Sequence, residues 1–290
     1  MTAKALLQKI KTEFPEIKWK QHKFITHGWD HFVIVLDDEI IFRAPKEKPE
    51  DLKSELYYET KLLNYLSKKM KIGIPEYKYL SKDNTLAGYK LLKGKEMSTS
   101  QFKKLSAKEK VSFTKQLADF LTTLHKTPKS VTKKYDVRIE DPKKLYGWMV
   151  QDNKKHISPR LNQKETKIIN EYMVELKSAI EQDYPDVLRH GDLTSSHLLW
   201  DKKKNQLNII DFSDRSFGDP ANDFYGLWEY GSKFIDKVYS LYKGKKDDQF
   251  LYRSQLYYKR VALLVMKAGC TGNSCTFKEG HDMFLKRFKI

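Results

Sequence analysis

At 290 residues, 40% of them hydrophobic and 13% aromatic, the chain has ample apolar material for two lobes or one large domain, which excludes a disordered segment. The formal net charge of +17 points to an anionic partner such as nucleic acid, a membrane surface or nucleotide phosphates. The lysines are scattered rather than gathered in a basic tail, which reads as solvated surface and argues against nucleic-acid binding. Val261–Met266, the longest apolar run, is too short to span a bilayer, the N-terminus lacks a signal-peptide core, and Cys270 and Cys275 read as free reduced thiols, so the expected location is the cytoplasm.

In chain order, residues 3–14 read as a short amphipathic helix with Leu6, Leu7, Ile10 and Phe14 at helical spacing. Residues 19–26, 31–36 and 39–43 follow as three antiparallel strands, with Asp37-Asp38 as the tight turn between the last two. T-H-G-W-D-H joins the first two strands and holds a single glycine, Gly28; it reads either as a phosphate-covering loop or as an ordinary hairpin connection. The helix expected over 50–69 carries Leu52, Leu56, Leu63 and Leu66 on one stripe, and Glu59 falls on that stripe. A carboxylate on an apolar face is costly unless paired, so Glu59 needs a cation or must snorkel outward at the margin. Strands over 76–80 and 87–92 complete a five-stranded sheet.

From there the pattern turns helical. Ser106 and Glu109 form a capping box, and Leu117, Phe120, Leu121 and Leu124 keep helical spacing up to His125, which reads as structural. Further helices are expected over 141–151, 163–182, 220–230, 233–243, 247–267 and 277–289. The interruption between 187 and 224 is the informative part. Leu198-Leu199-Trp200 and Leu207–Ile210 read as the arms of a small hairpin with a polar turn between them. Such a hairpin brings His197 and Asp211 side by side, with Asp192 on the loop entering the first arm. Two carboxylates and an imidazole at one sheet end suit phosphoryl transfer, where positioning and charge neutralisation supply most of the catalysis. Asp219-Pro220 has the form of a helix N-cap followed by proline, and Asp223 reads as a brace for the loop around Asp192.

The run H-G-D-L-x-x-x-H at 190–197, followed by I-I-D-F-x-D-x-x-x-G-D-P-x-x-D at 209–223, resembles the aminoglycoside phosphotransferase family. The His at 197, where protein kinases carry Asn, makes it most similar to the enzymes that modify the 2″-hydroxyl. The resemblance implies an α+β, bilobal protein-kinase-like fold. Residues 1–92 would form the nucleotide-binding lobe and 93–290 a helical catalytic and acceptor-binding lobe. It implies Asp192 as catalytic base, His197 and Asp211 as ligands of Mg2+, and ATP or GTP as donor. It places Arg43 on the phosphates, with Lys46 or Lys48 as substitutes, and pairs Arg43 with Glu59, Glu55 being the alternative. The segment Tyr89 to Lys93, including Leu91 and Leu92, becomes the hinge that reads the purine edge, and a bulky Tyr89 bears on the choice between ATP and GTP.

For the acceptor the resemblance points to acidic residues of the helical lobe. Asp214 and Glu229 with Trp228 and Tyr230 are the candidates, Asp236 a further one, each of which also reads as a surface carboxylate, cap or packing residue. The leading expectation is an aminoglycoside kinase acting as a monomer. A basic chain repels a polycationic acceptor at long range unless its cleft is locally acidic, and only E-Y-G-S-K follows Trp228. Two alternatives therefore stand: a kinase of a macrolide, amino alcohol, sugar or other hydroxyl compound, and a catalytically silent kinase-like binding protein.

Overall fold

The computed structural model describes residues 2–26, 31–46, 50–273 and 275–290. The centre of the T-H-G-W-D-H loop, Lys48 and the Leu52 side chain lie outside the described residues.

Helix α1 (Ala3–Glu13) precedes β1 (His22–Ile25), β2 (His31–Leu36) and β3 (Ile40–Pro45). Helix α2 (Glu50–Ser67), β4 (Tyr77–Leu80) and β5 (Ala87–Lys90) follow. The five strands form one antiparallel sheet in the order β1-β2-β3-β5-β4. Asp37 and Asp38 both take left-handed backbone angles, as a two-residue hairpin turn demands. The first strand is shorter than its sequence suggests, because the residues from Trp19 onward run in as irregular chain.

Side chains alternate across a strand, and β3 shows what that does. Phe42 and Ala44 join Leu6, Ile10, Phe14, Ile34, Leu36 and Leu86 in a core under α1. Arg43, between them, faces the opposite side, where Leu56, Leu63 and Leu66 of α2 pack with Tyr77 and Tyr89. The Phe42 ring lies over Gly88, where any Cβ would overlap it, which explains a glycine inside β5.

The helical part opens with β6 (Lys95–Glu96), α3 (Thr99–Lys103) and the long α4 (Ala107–His125), whose Ser106–Glu109 capping box is present. Helices α5 (Lys129–Lys134), α6 (Pro142–Asp152) and α7 (Gln163–Ile180) follow, a π turn at Asn153–Ile157 extending α6. Strand β7 (Val187–Arg189) leads to β8 (Leu198–Asp201), β9 (Gln206–Ile209) and β10 (Ser216–Gly218). Residues Pro220–Tyr230, expected as an α-helix, form a 3-10 turn ahead of α8 (Ser232–Leu241), α9 (Phe250–Cys270) and α10 (Phe277–Phe288). Strands β6, β8 and β9 make a small sheet, and β7 pairs with β10. A second core runs without a break from Leu56 and Leu63 of α2 through Phe113, Leu117 and Leu121 of α4 to Leu263 of α9. Both cysteines are free, and no helix among the described residues is long and apolar enough to cross a membrane.

Candidate active site

The site grows from the β8–β9 hairpin. Leu198 pairs with Ile209, and the Ile210 N–H donates to the His197 carbonyl at 3.1 Å, so the hairpin ends meet. His197 Nε2 stands 3.7 Å from Asp211 Oδ2. One ring hydrogen of His197 follows from chemistry. Its Nδ1 lies 2.8 Å from the backbone carbonyl of Asp192, which only accepts, so Nδ1 carries a hydrogen and Nε2 is the ring nitrogen that faces Asp211. Asp211 holds φ +63°, a left-handed conformation that Asp tolerates better than most residues.

The loop before the hairpin is held from behind. Asp223, fully buried, accepts the His190 N–H at 2.8 Å and the Gly191 N–H at 2.9 Å, and His125 Nε2 sits 3.0 Å from it. Burial would raise the Asp223 carboxyl, but the histidine and these N–H groups carry it below the usual carboxylate value. Gly191 has φ +91°, and a Cβ on it would collide with the Asp214 carbonyl, so only glycine fits there. The Tyr225 hydroxyl donates to Asp192 Oδ1. Asp219 caps the following turn through the Ala221 N–H at 3.0 Å and is bound by Arg253 at 2.7 Å and Tyr257 at 2.8 Å, which makes it a structural anchor.

Arg43 and Glu59 form a buried ion pair at 3.0 Å. Glu59 also accepts from Tyr77 at 2.7 Å and from Arg215 at 3.2 Å. Desolvation raises the Glu59 carboxyl, and the two guanidiniums more than offset it, holding it below its ordinary value. Glu55 meets Arg215 only through its backbone carbonyl, at 3.0 Å. The other end of Arg43 reaches Ser213 Oγ at 2.6 Å, His31 Nδ1 at 3.2 Å and Asp211 Oδ1 at 3.3 Å. Burial, then the Arg43 charge, pulls His31 down to about 4. Asp211 is held well below the usual carboxylate range: burial opposes this, while Arg43, Ser213 and His197 favour the charged form. Lys46 Nζ donates to the Thr26 carbonyl at 2.8 Å.

Tyr89 is buried edge-to-face on Tyr77, centroids 4.9 Å apart, and burial pushes its hydroxyl up to about 12. Leu91 donates its N–H to the Glu39 carbonyl at 2.7 Å as the strand ends. Among the described residues, neither the Leu91 carbonyl nor the Leu92 N–H has a backbone partner, which leaves a donor and an acceptor at the expected hinge.

The acceptor candidates do not converge in the same way. Asp214 is exposed beside the Asp211 loop. Trp228 Nε1 donates to Ser254 Oγ at 3.0 Å, and Glu229 pairs with Arg287 at 3.1 Å. Tyr230 donates to the Met97 carbonyl and packs on Phe102 and Phe234. Asp236 lies on α8. His31, Tyr77, Ser213, Arg215 and Tyr225 escaped the sequence reading. Only Arg215 and Ser213 had a signal, their closeness in sequence to Asp211.

Among the described residues no group of three or more His, Cys, Asp or Glu side chains can hold a metal alone. Magnesium keeps waters and takes one or two protein ligands together with substrate phosphates. Asp211, held ionised, with His197 Nε2 at 3.7 Å from it, is where this chain could hold such an ion.

A five-stranded antiparallel sheet, a buried Arg–Glu pair linking it to α2, and a carboxylate-bearing hairpin on a helical body define a protein-kinase-like phosphotransferase fold. Residues 21–251 match the sequence profile of the phosphotransferase enzyme family, APH, and the chain belongs to that family. Its fold is that of the GDP and kanamycin complex of APH(2″)-IIIa, at TM-score 0.89 and 22% identity with 98% of each chain covered. The streptomycin–ATP complex of APH(2″)-IIa matches at TM-score 0.71 and 22% identity, covering 91% of this chain and 90% of that one. Macrolide 2′-phosphotransferase type I matches at TM-score 0.71 and 18% identity, covering 99% and 96%.

Proposed function

We propose that the protein moves the γ-phosphoryl group of ATP or GTP to a hydroxyl of an aminoglycoside. One observation carries the reading. The Asp192 carboxylate, His197 Nε2 and Asp211 lie together at the end of a hairpin, and Arg43, anchored on Glu59, reaches the same Asp211 from the sheet. On this reading Asp192 accepts the proton of the acceptor hydroxyl as its oxygen bonds to the γ-phosphorus. The bond from that phosphorus to the bridging oxygen breaks, and the nucleoside diphosphate leaves with the bond's electron pair. His197 and Asp211 would hold Mg2+, which when bound would supply charge neutralisation on the phosphate oxygens. The Nη2 end of Arg43, shared among Ser213, His31 and Asp211, is the one a phosphate oxygen takes over, while the Nη1 end stays on Glu59. Tyr89, Leu91 and Leu92 line the base, residues 1–92 act as the nucleotide-binding lobe, and 93–290 bind the acceptor, with Asp214, Trp228 and Glu229 at its cleft.

The likeness to structures holding kanamycin and streptomycin supports an aminoglycoside. A second reading keeps the chemistry and changes the acceptor to a macrolide, amino alcohol or sugar. The pairing of Glu229 with Arg287 favours it, because that carboxylate is already neutralised and a polycation gains less from it. A nucleotide-turnover assay with magnesium, run separately with ATP and GTP against these acceptor classes, decides. Stimulation by aminoglycosides that disappears in Asp192→Ala supports the first reading. Stimulation by another class alone selects the second, and no stimulation by any hydroxyl compound sinks both.

A further inference from the structure

The 3-10 turn Pro220–Tyr230 grips the loop His190–Leu193 residue by residue. Asp223 takes the N–H groups of His190 and Gly191. Asn222 Nδ2 donates to the Gly191 carbonyl at 3.0 Å, and Arg260 holds the Asn222 amide oxygen at 2.8 Å. Gly226 backs onto the Leu193 carbonyl so closely that a Cβ there would overlap it. Between these contacts lies Asp192, and the turn meets it through a side chain, the Tyr225 hydroxyl on Oδ1. The turn is itself fixed by the buried Asp219–Arg253 pair, so Tyr225 is presented from a rigid support.

A buried phenol needs an acceptor, and elsewhere in the molecule the acceptor is itself buried: the Leu256 carbonyl for Tyr172, the Glu59 carboxylate for Tyr77, the Asp219 carboxylate for Tyr257. Tyr225 instead binds a carboxylate whose side chain is 33% exposed, against 3% for Glu59 and 1% for Asp219. Among the described residues no other side chain donates to that carboxylate within hydrogen-bond range. His197 Nδ1 is 3.5 Å from Oδ2, but its hydrogen is directed to the Asp192 carbonyl. Oδ2 is therefore the oxygen left with open lone pairs.

We propose that Tyr225 is a positioning residue for Asp192, pinning Oδ1 so that Oδ2 alone meets the acceptor hydroxyl. The inference rests on the reading of Asp192 as the base. Burial first, then the Asp192 charge, keeps the phenol far above its ordinary value, so it remains a donor at every working pH. Removing the hydroxyl frees the carboxylate to rotate about its side-chain torsions. The reaction then waits on a correct orientation, with binding of both substrates untouched.

The test is steady-state kinetics of Tyr225→Phe beside Asp192→Asn, using the acceptor that gives turnover. The expected result is a kcat lower by about tenfold or more, with KM for nucleotide and acceptor within about twofold of the parent. An unchanged kcat, or a rise confined to the acceptor KM, overturns the inference, the latter because Tyr225 would then be touching the acceptor. Activity persisting in Asp192→Asn sinks the reading of the base itself and is told apart by that variant alone. If Tyr225→Phe melts within the assay range, 3-fluorotyrosine at 225 keeps the shape and alters the donor; a kcat change at constant KM supports the role, and identical kinetics overturn it.

Discussion

The residues proposed to hold the nucleotide and those proposed to meet the acceptor are placed differently in the fold. At the proposed nucleotide end Arg43, Glu59, Asp211 and His197 converge, drawing in His31, Tyr77, Ser213 and Arg215. At the proposed acceptor end Trp228 and Glu229 turn to separate partners, Ser254 and Arg287. The difference teaches that phosphate chemistry needs charges held in fixed relation, and so builds a network. The acceptor candidates form no such shared network among the contacts of Trp228 and Glu229.

The sharpest cut through this comparison is Asp192→Asn, which removes the proposed base and keeps the shape. A loss of about 10²–10⁴-fold in kcat is expected, read in the coupled assay, with nucleotide affinity retained. Next comes Glu59→Ala, which leaves Arg43 and Arg215 buried without their shared carboxylate. A loss of about 3–5 kcal/mol in urea unfolding is expected. A loss below about 1 kcal/mol would show that the network at the nucleotide end does not stabilise the fold.

At the other end the expected effects are smaller. Asp214→Asn should raise the KM of a cationic acceptor about tenfold, equivalent to about 1.4 kcal/mol, and leave that of a neutral acceptor unchanged. Glu229→Ala should change acceptor KM by less than about threefold, because Arg287 already neutralises that carboxylate. A tenfold rise would return Glu229 to the acceptor site and erase the contrast.

Acid should weaken the nucleotide end by a route with a definite sign. His31 falls from 6.5 to about 4 on folding, so between those values the unfolded chain binds more protons. Its contribution is complete above pH 6.5 and is lost as pH falls toward 4. Asp211, Glu59 and Asp223, all depressed, contribute above the unfolded carboxylate value near 4 and lose that contribution as pH falls through their lower folded values. Urea midpoints taken from pH 7 to pH 3 should fall throughout, and His31→Gln should flatten the upper part of the curve. An equal slope in the variant would remove His31 from the account.

Much of the fold was legible because its signals are local. Leu56, Leu63 and Leu66 repeat at helical spacing, and Ser106–Glu109 is a capping box written in four residues. The Asp37-Asp38 turn and the β8–β9 hairpin are equally local. The two-residue β6 and three-residue β7 and β10 were not legible, since segments that short have no period and exist only through their partners. Residues 220–230 kept the cap and proline of a helix start, yet the need to contact the loop at 190–193 drew them into a 3-10 turn.

The sequence by itself determined the membership of His197 and Asp211 in one hairpin end and the place of Glu59 on an apolar helical stripe, because each follows from spacing along the chain, and its motif carried the family resemblance that implied the kinase-like architecture. Tertiary structure alone decided that Arg43 and Arg215, 172 positions apart, share that carboxylate. It likewise decided that Tyr225 reaches Asp192 and that Arg287 takes Glu229. The reason is geometric: hydrogen bonds and ion pairs form over about 3 Å in space, and once the chain has folded that distance no longer tracks separation in sequence.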